Sequence, residues 1–263
     1  MGLEKIDTNF NLSSNVGDSE SEVCSVCGCS KVVTMPDGTK FKCLCQCEKT
    51  RMQNEERELN LKQLKVQIEH KKAQSLLGKR YKDATFETAV IDENNEKAIE
   101  VIKSYAIKCD EMLDKGYGMY IYGKNGCGKT YLTACLCNYL TERNKKCIFT
   151  NFSSIFNEMK TTYSRQVDDT QESVIDKYSK VPFLIIDDFG KEMRKREGES
   201  LGWADEQMFI ILNNRYNNML PTIFTSNYSL DDATNDFNLE PSTLDRISSL
   251  STKKVYVGGG SRR

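Results

Sequence analysis

Two kinds of hydrophobic spacing divide the chain. From about Tyr81 onward, short apolar runs alternate with stretches of helical period. Met119–Tyr122, Cys147–Thr150, Phe183–Ile186, Thr222–Thr225 and Lys253–Val257 read as strands, the first and third fully buried. Between them, 92–115, 128–143, 153–163, 172–179 and 204–219 read as helices. Ile99, Ile102, Tyr105 and Ala106 share one face of the first. Strands alternating with helices predict an α/β fold with a parallel sheet covered on both faces. Before Tyr81 the pattern is different. Residues 48–77 contain no Pro, nearly every second residue is charged, and only Leu61, Leu64 and Ile68 keep helical spacing. That stretch predicts an exposed helix or linker. Met35-Pro-Asp-Gly38 predicts a tight turn in a small knuckle.

Four segments follow from these patterns. They are an acidic, mostly disordered tail (1–22), a Cys-rich knuckle (23–48), a charged helical linker (49–82) and an ATPase-sized domain (83–263). No apolar run is long enough to span a bilayer, and no leader is visible, so a cytoplasmic protein without a membrane partner is expected.

Charge changes the picture only locally. The 37 Lys and Arg nearly balance 38 Asp and Glu, which excludes a polycation. Yet 1–22 is acidic and 40–82 is basic, so any contact with nucleic acid must be local. There is one His, His70, and chemistry needing two is excluded.

Gly123-Lys124-Asn125-Gly126-Cys127-Gly128-Lys129-Thr130 fits the phosphate loop G-x-x-x-x-G-K-[ST], between a predicted strand and a predicted helix. Its glycines let main-chain N–H groups converge on an anion at a helix N-terminus. Lys129 suits the β- and γ-phosphates, the Thr130 hydroxyl suits Mg²⁺, and Tyr131 adjoins the loop. Phe183-Leu-Ile-Ile186 ends in Asp187-Asp188, acids delivered to the edge where the loop opens. Asp187 suits an outer hold on Mg²⁺, and Asp188 suits activation of water. Asn227, ending the Thr222 strand, suits the γ-phosphate or that water. ATP and Mg²⁺ are the expected cofactors.

Eleven Cys are present, six of them between Cys24 and Cys47. Cys24-x-x-Cys27 and Cys43-x-Cys45-x-Cys47 offer more thiols than tetrahedral Zn²⁺ needs. Cys24 and Cys27 with two of Cys43, Cys45 and Cys47 are the expected ligands, and Cys29 is set aside. A segment this small buries little core, so the metal would supply most of its folding energy. Phe156, Lys160, Tyr163 and Arg165 interleave rings with charge, a pattern that suits single-stranded DNA. Core packing is the competing role for Phe156.

The ordered set resembles the AAA+ superfamily and, within it, the DnaC-type replicative helicase loaders and their IstB-like relatives. The set is Ala84-Thr-Phe86, the phosphate loop, Leu184–Gly190, Asn214-Arg-Tyr216, Pro221–Asn227, Leu244-Asp-Arg246-Ile and Gly260-Ser-Arg262. The resemblance implies a lidless P-loop AAA+ sheet sandwiched by helices, with a small N-terminal zinc-binding domain. It implies that Arg246 reaches a neighbouring subunit's ATP site and that Arg262 senses the γ-phosphate in its own. It also implies a hexameric replicative helicase and single-stranded DNA as partners, with self-association on the helicase. Asp188 stands where many AAA+ proteins place the longer Glu, so slow ATP turnover is expected. An IstB-like transposition helper, a small-molecule kinase or ATPase, and a zinc adaptor with a vestigial ATPase stay open. The Cys knuckle favours the loader over the first, and Arg246 favours it over the second.

Overall fold

A computed structural model describes residues 23–164, 171–190, 202–232 and 239–262. The expected disordered tail at 1–22 lies outside the described residues. The chain divides into two compact units, 1–64 and 65–263.

In the first unit, β1 (Val32–Thr34) and β2 (Lys40–Lys42) pair antiparallel, with Val33 opposite Phe41. The expected turn closes them. Met35 N–H donates to the Thr39 carbonyl (2.8 Å), and the Asp37 carboxylate accepts from Thr39 N–H (3.0 Å). Gly38 supplies the positive φ (+86°) that this turn needs. Helix α1 (Gln46–Gln74) starts in this unit and ends in the second, and Leu61 and Leu64 on it are exposed.

The second unit holds a five-stranded parallel sheet. Its strands are β3 (Met119–Tyr122), β4 (Cys147–Asn151), β5 (Phe183–Phe189), β6 (Thr222–Ser226) and β7 (Lys253–Tyr256), in the order β4-β5-β6-β3-β7. Alternation along the strands builds two cores. Met119, Ile121, Phe183, Ile185, Ile223 and Val255 face one, which is covered by α2 (Glu96–Ile107), α3 (Cys109–Lys115) and α4 (Lys129–Glu142). Tyr120, Leu184, Ile186 and Phe224 face the other. That side is covered by α5 (Phe152–Ser164), α6 (Gln171–Lys180), α7 (Gly202–Asn217) and α8 (Pro241–Leu250). Each fully buried aliphatic or aromatic side chain contributes about 1.5–3 kcal/mol, so an unpartnered polar residue in place of Ile185 or Phe224 would destabilise the sandwich.

One expected helix needs correction, and two features go beyond the sequence reading. The helix expected over 92–115 is two helices, broken at Lys108 (φ −92°, ψ 25°). Its expected first turn is instead a polar turn in which the Asp92 carboxylate accepts from Asn94 N–H (2.9 Å). The spacing Tyr105, Cys109, Leu113 stays helical across the break, so periodicity cannot mark it. Helix α8 was not anticipated. Pro241 in its first turn and buried Thr243, Ile247 and Leu250 specify it. Arg215, within the Asn214-Arg-Tyr216 element, is fully buried without a carboxylate partner among its hydrogen bonds. Its guanidinium donates to the carbonyls of Tyr178 (2.8 Å), Val181 (2.7 Å) and Pro221 (2.7 Å), sealing the entry to β5 and β6. Burial pushes its proton affinity down to about 9.

Candidate nucleotide-binding site

The phosphate loop turns from the end of β3 into the start of α4, as its sequence requires. Gly123, Gly126 and Gly128 all have positive φ (+157°, +82° and +103°). Lys129 is buried. Its ammonium donates to the carbonyls of Gly123 (2.8 Å) and Lys124 (3.0 Å) and to the side-chain oxygen of Asn227 (2.9 Å). The loop cation and the end of β6 are therefore one constellation.

The acids of β5 join it through threonines. Thr130 donates to the Asp187 carboxylate (3.1 Å), and Thr225 donates to the same group at 2.6 Å. Thr225 in turn accepts from Asp188 N–H (2.9 Å). Pairing of β5 with β6 shifts register between Ile186 and Phe189, and Asp188 takes a positive φ of +54° there. Such strain at a non-glycine residue is maintained by its surroundings. Burial pushes the Asp187 carboxyl above its ordinary range, with Asp188 adding to the effect, while the Thr225 and Thr130 hydroxyls and Lys129 oppose it. The hydroxyl and carboxylate oxygens of Thr130 and Asp187 are donors suited to a hard divalent cation.

Next to the loop is a cavity of about 300 Å³. Gly126–Leu132 and Asp188 line its phosphate side, and Arg80, Tyr81, Thr88, Ala89, Val90 and Asn95 wall the other. Sequence reasoning missed that second wall, apart from the nearby Ala84-Thr-Phe86. Asn95 organises it: its amide donates to the Val90 carbonyl (2.8 Å) and accepts from Asp92 N–H (2.8 Å). An Asn closing the polar run Asp92-Glu-Asn-Asn95 just ahead of a helix was the available signal. Tyr131 pairs its hydroxyl with that of Thr88 (2.7 Å), joining the two walls. Tyr81, Ala89 and Val90 beside a phosphate cradle suit a nucleoside base.

Two arginines lie differently. Arg246 is not among the residues lining the cavity. Its guanidinium lies over the Tyr216 ring (4.6 Å) and donates to Asn213 (2.9 Å) and Asp245 (3.0 Å). Arg262 does line the cavity. It bonds the carbonyls of Cys127 and Gly258 and pairs with Asp92.

In the first unit, the thiols of Cys24, Cys27, Cys45 and Cys47 all lie within 4.8 Å of one another. Cys43 points elsewhere, to the Ser30 carbonyl (3.8 Å). Among the described residues no other such set is present. Thiolates around tetrahedral zinc stand about 3.8 Å apart, given Zn–S bonds of about 2.3 Å. The observed Cys24–Cys47, Cys27–Cys47 and Cys45–Cys47 separations are 3.4, 3.5 and 3.0 Å, so the four can hold a metal. Main-chain N–H groups of Cys27 and Val26 push the Cys24 thiol down to about 6. Gly28 (φ +69°) closes that loop.

Among the described nucleic-acid candidates, Phe156 and Lys160 lie in different settings. Phe156 is buried, its ring 4.1 Å from Phe152 and 6.0 Å from Trp203, so it belongs to the core rather than to a stacking surface. Lys160 is exposed on α5, and Tyr163 lies in the last turns of that helix. Arg165 lies outside the described residues.

Residues 79–235 match the bacterial DnaA ATPase domain family. The replicative helicase loader DnaI of Bacillus subtilis is 30% identical over 175 residues, which cover 64% of this chain and 53% of that one. The replicative helicase loader DnaC of Buchnera aphidicola is 27% identical over 132 residues, covering 48% and 52%. This chain thus spans about half the length of the curated relatives it matches. A solved putative primosome component from Streptococcus pyogenes is 28% identical with a TM-score of 0.54, over 72% of this chain and 93% of that one.

Proposed function

Because the chain belongs to the bacterial DnaA ATPase domain family, we propose that it is an ATP-dependent loader of a replicative DNA helicase onto single-stranded DNA. The observation that carries the ATPase part is the convergence of Lys129, Thr130, Asp187, Asp188 and Asn227 at one edge of the sheet. The loader part is supported by likeness to proteins named as replicative helicase loaders.

In this reading the loop N–H groups and Lys129 hold the ATP phosphates, and the cavity walled by Tyr81, Ala89 and Val90 takes the base. Thr130 and Asp187 are the residues that would hold Mg²⁺, which supplies charge neutralisation at the phosphoryl oxygens. Asp188 accepts a proton from the attacking water, and Asn227 orients the terminal phosphate with Lys129. Arg246, fixed on α7 and α8, completes the site of a neighbouring copy assembled on the helicase. An arginine supplied in trans couples turnover to assembly. A slow basal rate follows, because the site of an isolated chain lacks the neighbouring copy's arginine.

Cys24, Cys27, Cys45 and Cys47 would hold one Zn²⁺, which supplies folding energy to a unit too small for a core. The first unit is the grip on the hexameric helicase. Lys160, Tyr163 and Arg165 are the candidate contacts to single-stranded DNA. The site of action is the cytoplasm, and no helix among the described residues is long and apolar enough to cross a membrane.

The full chain mixed with the purified hexameric replicative helicase of its own cell should co-elute with it in light-scattering chromatography. Full separation with and without ATP would refute the loader reading while leaving the ATPase intact.

A further inference from the structure

Residues 257–262 and the phosphate loop are built against each other. Val257 N–H donates to the Tyr122 carbonyl (2.8 Å), Gly258 N–H to Asn94 (3.2 Å) and Arg262 N–H to Gly126 (3.0 Å). The Arg262 side chain, only 14% exposed, then bonds the Cys127 carbonyl, the Gly258 carbonyl (3.2 Å) and the Asp92 carboxylate. Glycine makes the room: a Cβ on Gly126 would lie 2.6 Å from the Ser261 hydroxyl.

We propose that Arg262 is a strap that sets the shape of the nucleotide pocket, acting on the part of the ligand that ADP and ATP share rather than reading the terminal phosphate. The inference rests on the nucleotide-site reading above. One guanidinium ties Asp92, next to the base wall, to Cys127 in the phosphate loop. In a planar trans peptide, a carbonyl and the following N–H point in opposite directions. Drawing the Cys127 carbonyl toward Arg262 therefore turns Gly128 N–H away from it. That N–H sits at the N-terminus of α4, where an anion is favoured. Lys129 holds the other limb of the loop through Gly123 and Lys124. The two cations clamp the loop at separate carbonyls. Lysine cannot replace Arg262, because a single ammonium does not reproduce a planar fork with three acceptors.

The test uses the full chain with Mg²⁺ and either ADP or ATP as titrant in calorimetry. Arg262→Ala should weaken both nucleotides by the same factor, about tenfold for the loss of a charge-assisted hydrogen bond. Arg262→Lys should recover little of it. Asp92→Asn added to Arg262→Ala should cost no more than Arg262→Ala alone, because the two changes remove one interaction. Amide exchange without nucleotide should rise at 123–128 in Arg262→Ala. A loss confined to ATP would overturn the strap in favour of a γ-phosphate sensor. Unchanged affinity for both nucleotides, or unchanged exchange at 123–128, would also overturn it. If wild type binds neither nucleotide, the site reading fails, and the exchange measurement still decides the strap.

Discussion

Lys129 and Asn227 stand 98 residues apart, yet the ammonium of one donates to the amide oxygen of the other at 2.9 Å. That bond joins the start of α4 to the end of β6. Between them, Thr130 and Thr225 hold the Asp187 carboxylate from both sides. Lys129→Ala should keep the fold but bind ATP about 10- to 100-fold more weakly, the range for losing hydrogen bonds to a charged group. Calorimetric titration beside a circular dichroism spectrum checks both halves. Undiminished ATP binding would remove the site.

Asp187 gives a pH-dependent prediction. Burial raises its proton affinity in the fold, so the folded chain binds more protons there than the unfolded chain does. Stability from this group is therefore present at low pH and falls as pH rises from the ordinary carboxylate range through the raised value. Asp187→Asn keeps an oxygen for Thr130 and Thr225 and removes the charge. At neutral pH it should raise the melting temperature of the nucleotide-free chain by about 2–4 °C for each 1 kcal/mol relieved, with the gain shrinking on acidification. ATP hydrolysis should be lost. A melting temperature lowered at neutral pH would contradict the burial argument.

Elemental analysis of the purified chain should give about one zinc. Serine at Cys24, Cys27, Cys45 or Cys47 should release it, because those four thiols are gathered within 4.8 Å. Serine at Cys43, which faces the Ser30 carbonyl, should retain it. Zinc loss from Cys43→Ser with retention in Cys45→Ser would reverse the assignment.

Much of this was legible in the sequence, and the rest has physical reasons. The sheet was readable because buried parallel strands are short continuous apolar runs such as Phe183–Ile186. The phosphate loop was readable because its glycines and Lys129 are fixed by backbone chemistry. Choosing between Cys43 and its neighbours was not possible. Cys43, Cys45 and Cys47 have the same spacing, and what separates them is that Cys43 N–H extends the hairpin by donating to the Lys31 carbonyl (2.7 Å). The base wall escaped because a polar turn, not an apolar stripe, builds it through Asn95. Of the two roles open to Phe156, the core role holds, because Phe152, Ile155, Phe156 and Met159 keep the i, i+3, i+4, i+7 phase of a core face.

Arg246 should act on a neighbour's site. With helicase and single-stranded DNA present, Arg246→Ala should bind ATP nearly as wild type yet hydrolyse it about 10³-fold more slowly, the effect typical of removing such an arginine. An Asp188→Asn chain, which keeps Arg246, should partly restore turnover when mixed in with helicase and single-stranded DNA. Tyr216→Ala should mimic the loss more than Tyr216→Phe, because the ring supports the guanidinium. Wild-type turnover by Arg246→Ala under these assembling conditions, or no rescue in the mixture, would favour a self-contained kinase.

The central claim is helicase loading, and a closed circle of single-stranded DNA tests it most directly, because a preformed hexamer cannot thread onto it from an end. Helicase bound to such circles is counted after gel filtration, with ATP and with or without this chain. The account predicts that the wild-type chain increases helicase on circles severalfold and that Lys129→Ala does not. Equal helicase occupancy with and without the wild-type chain would contradict it.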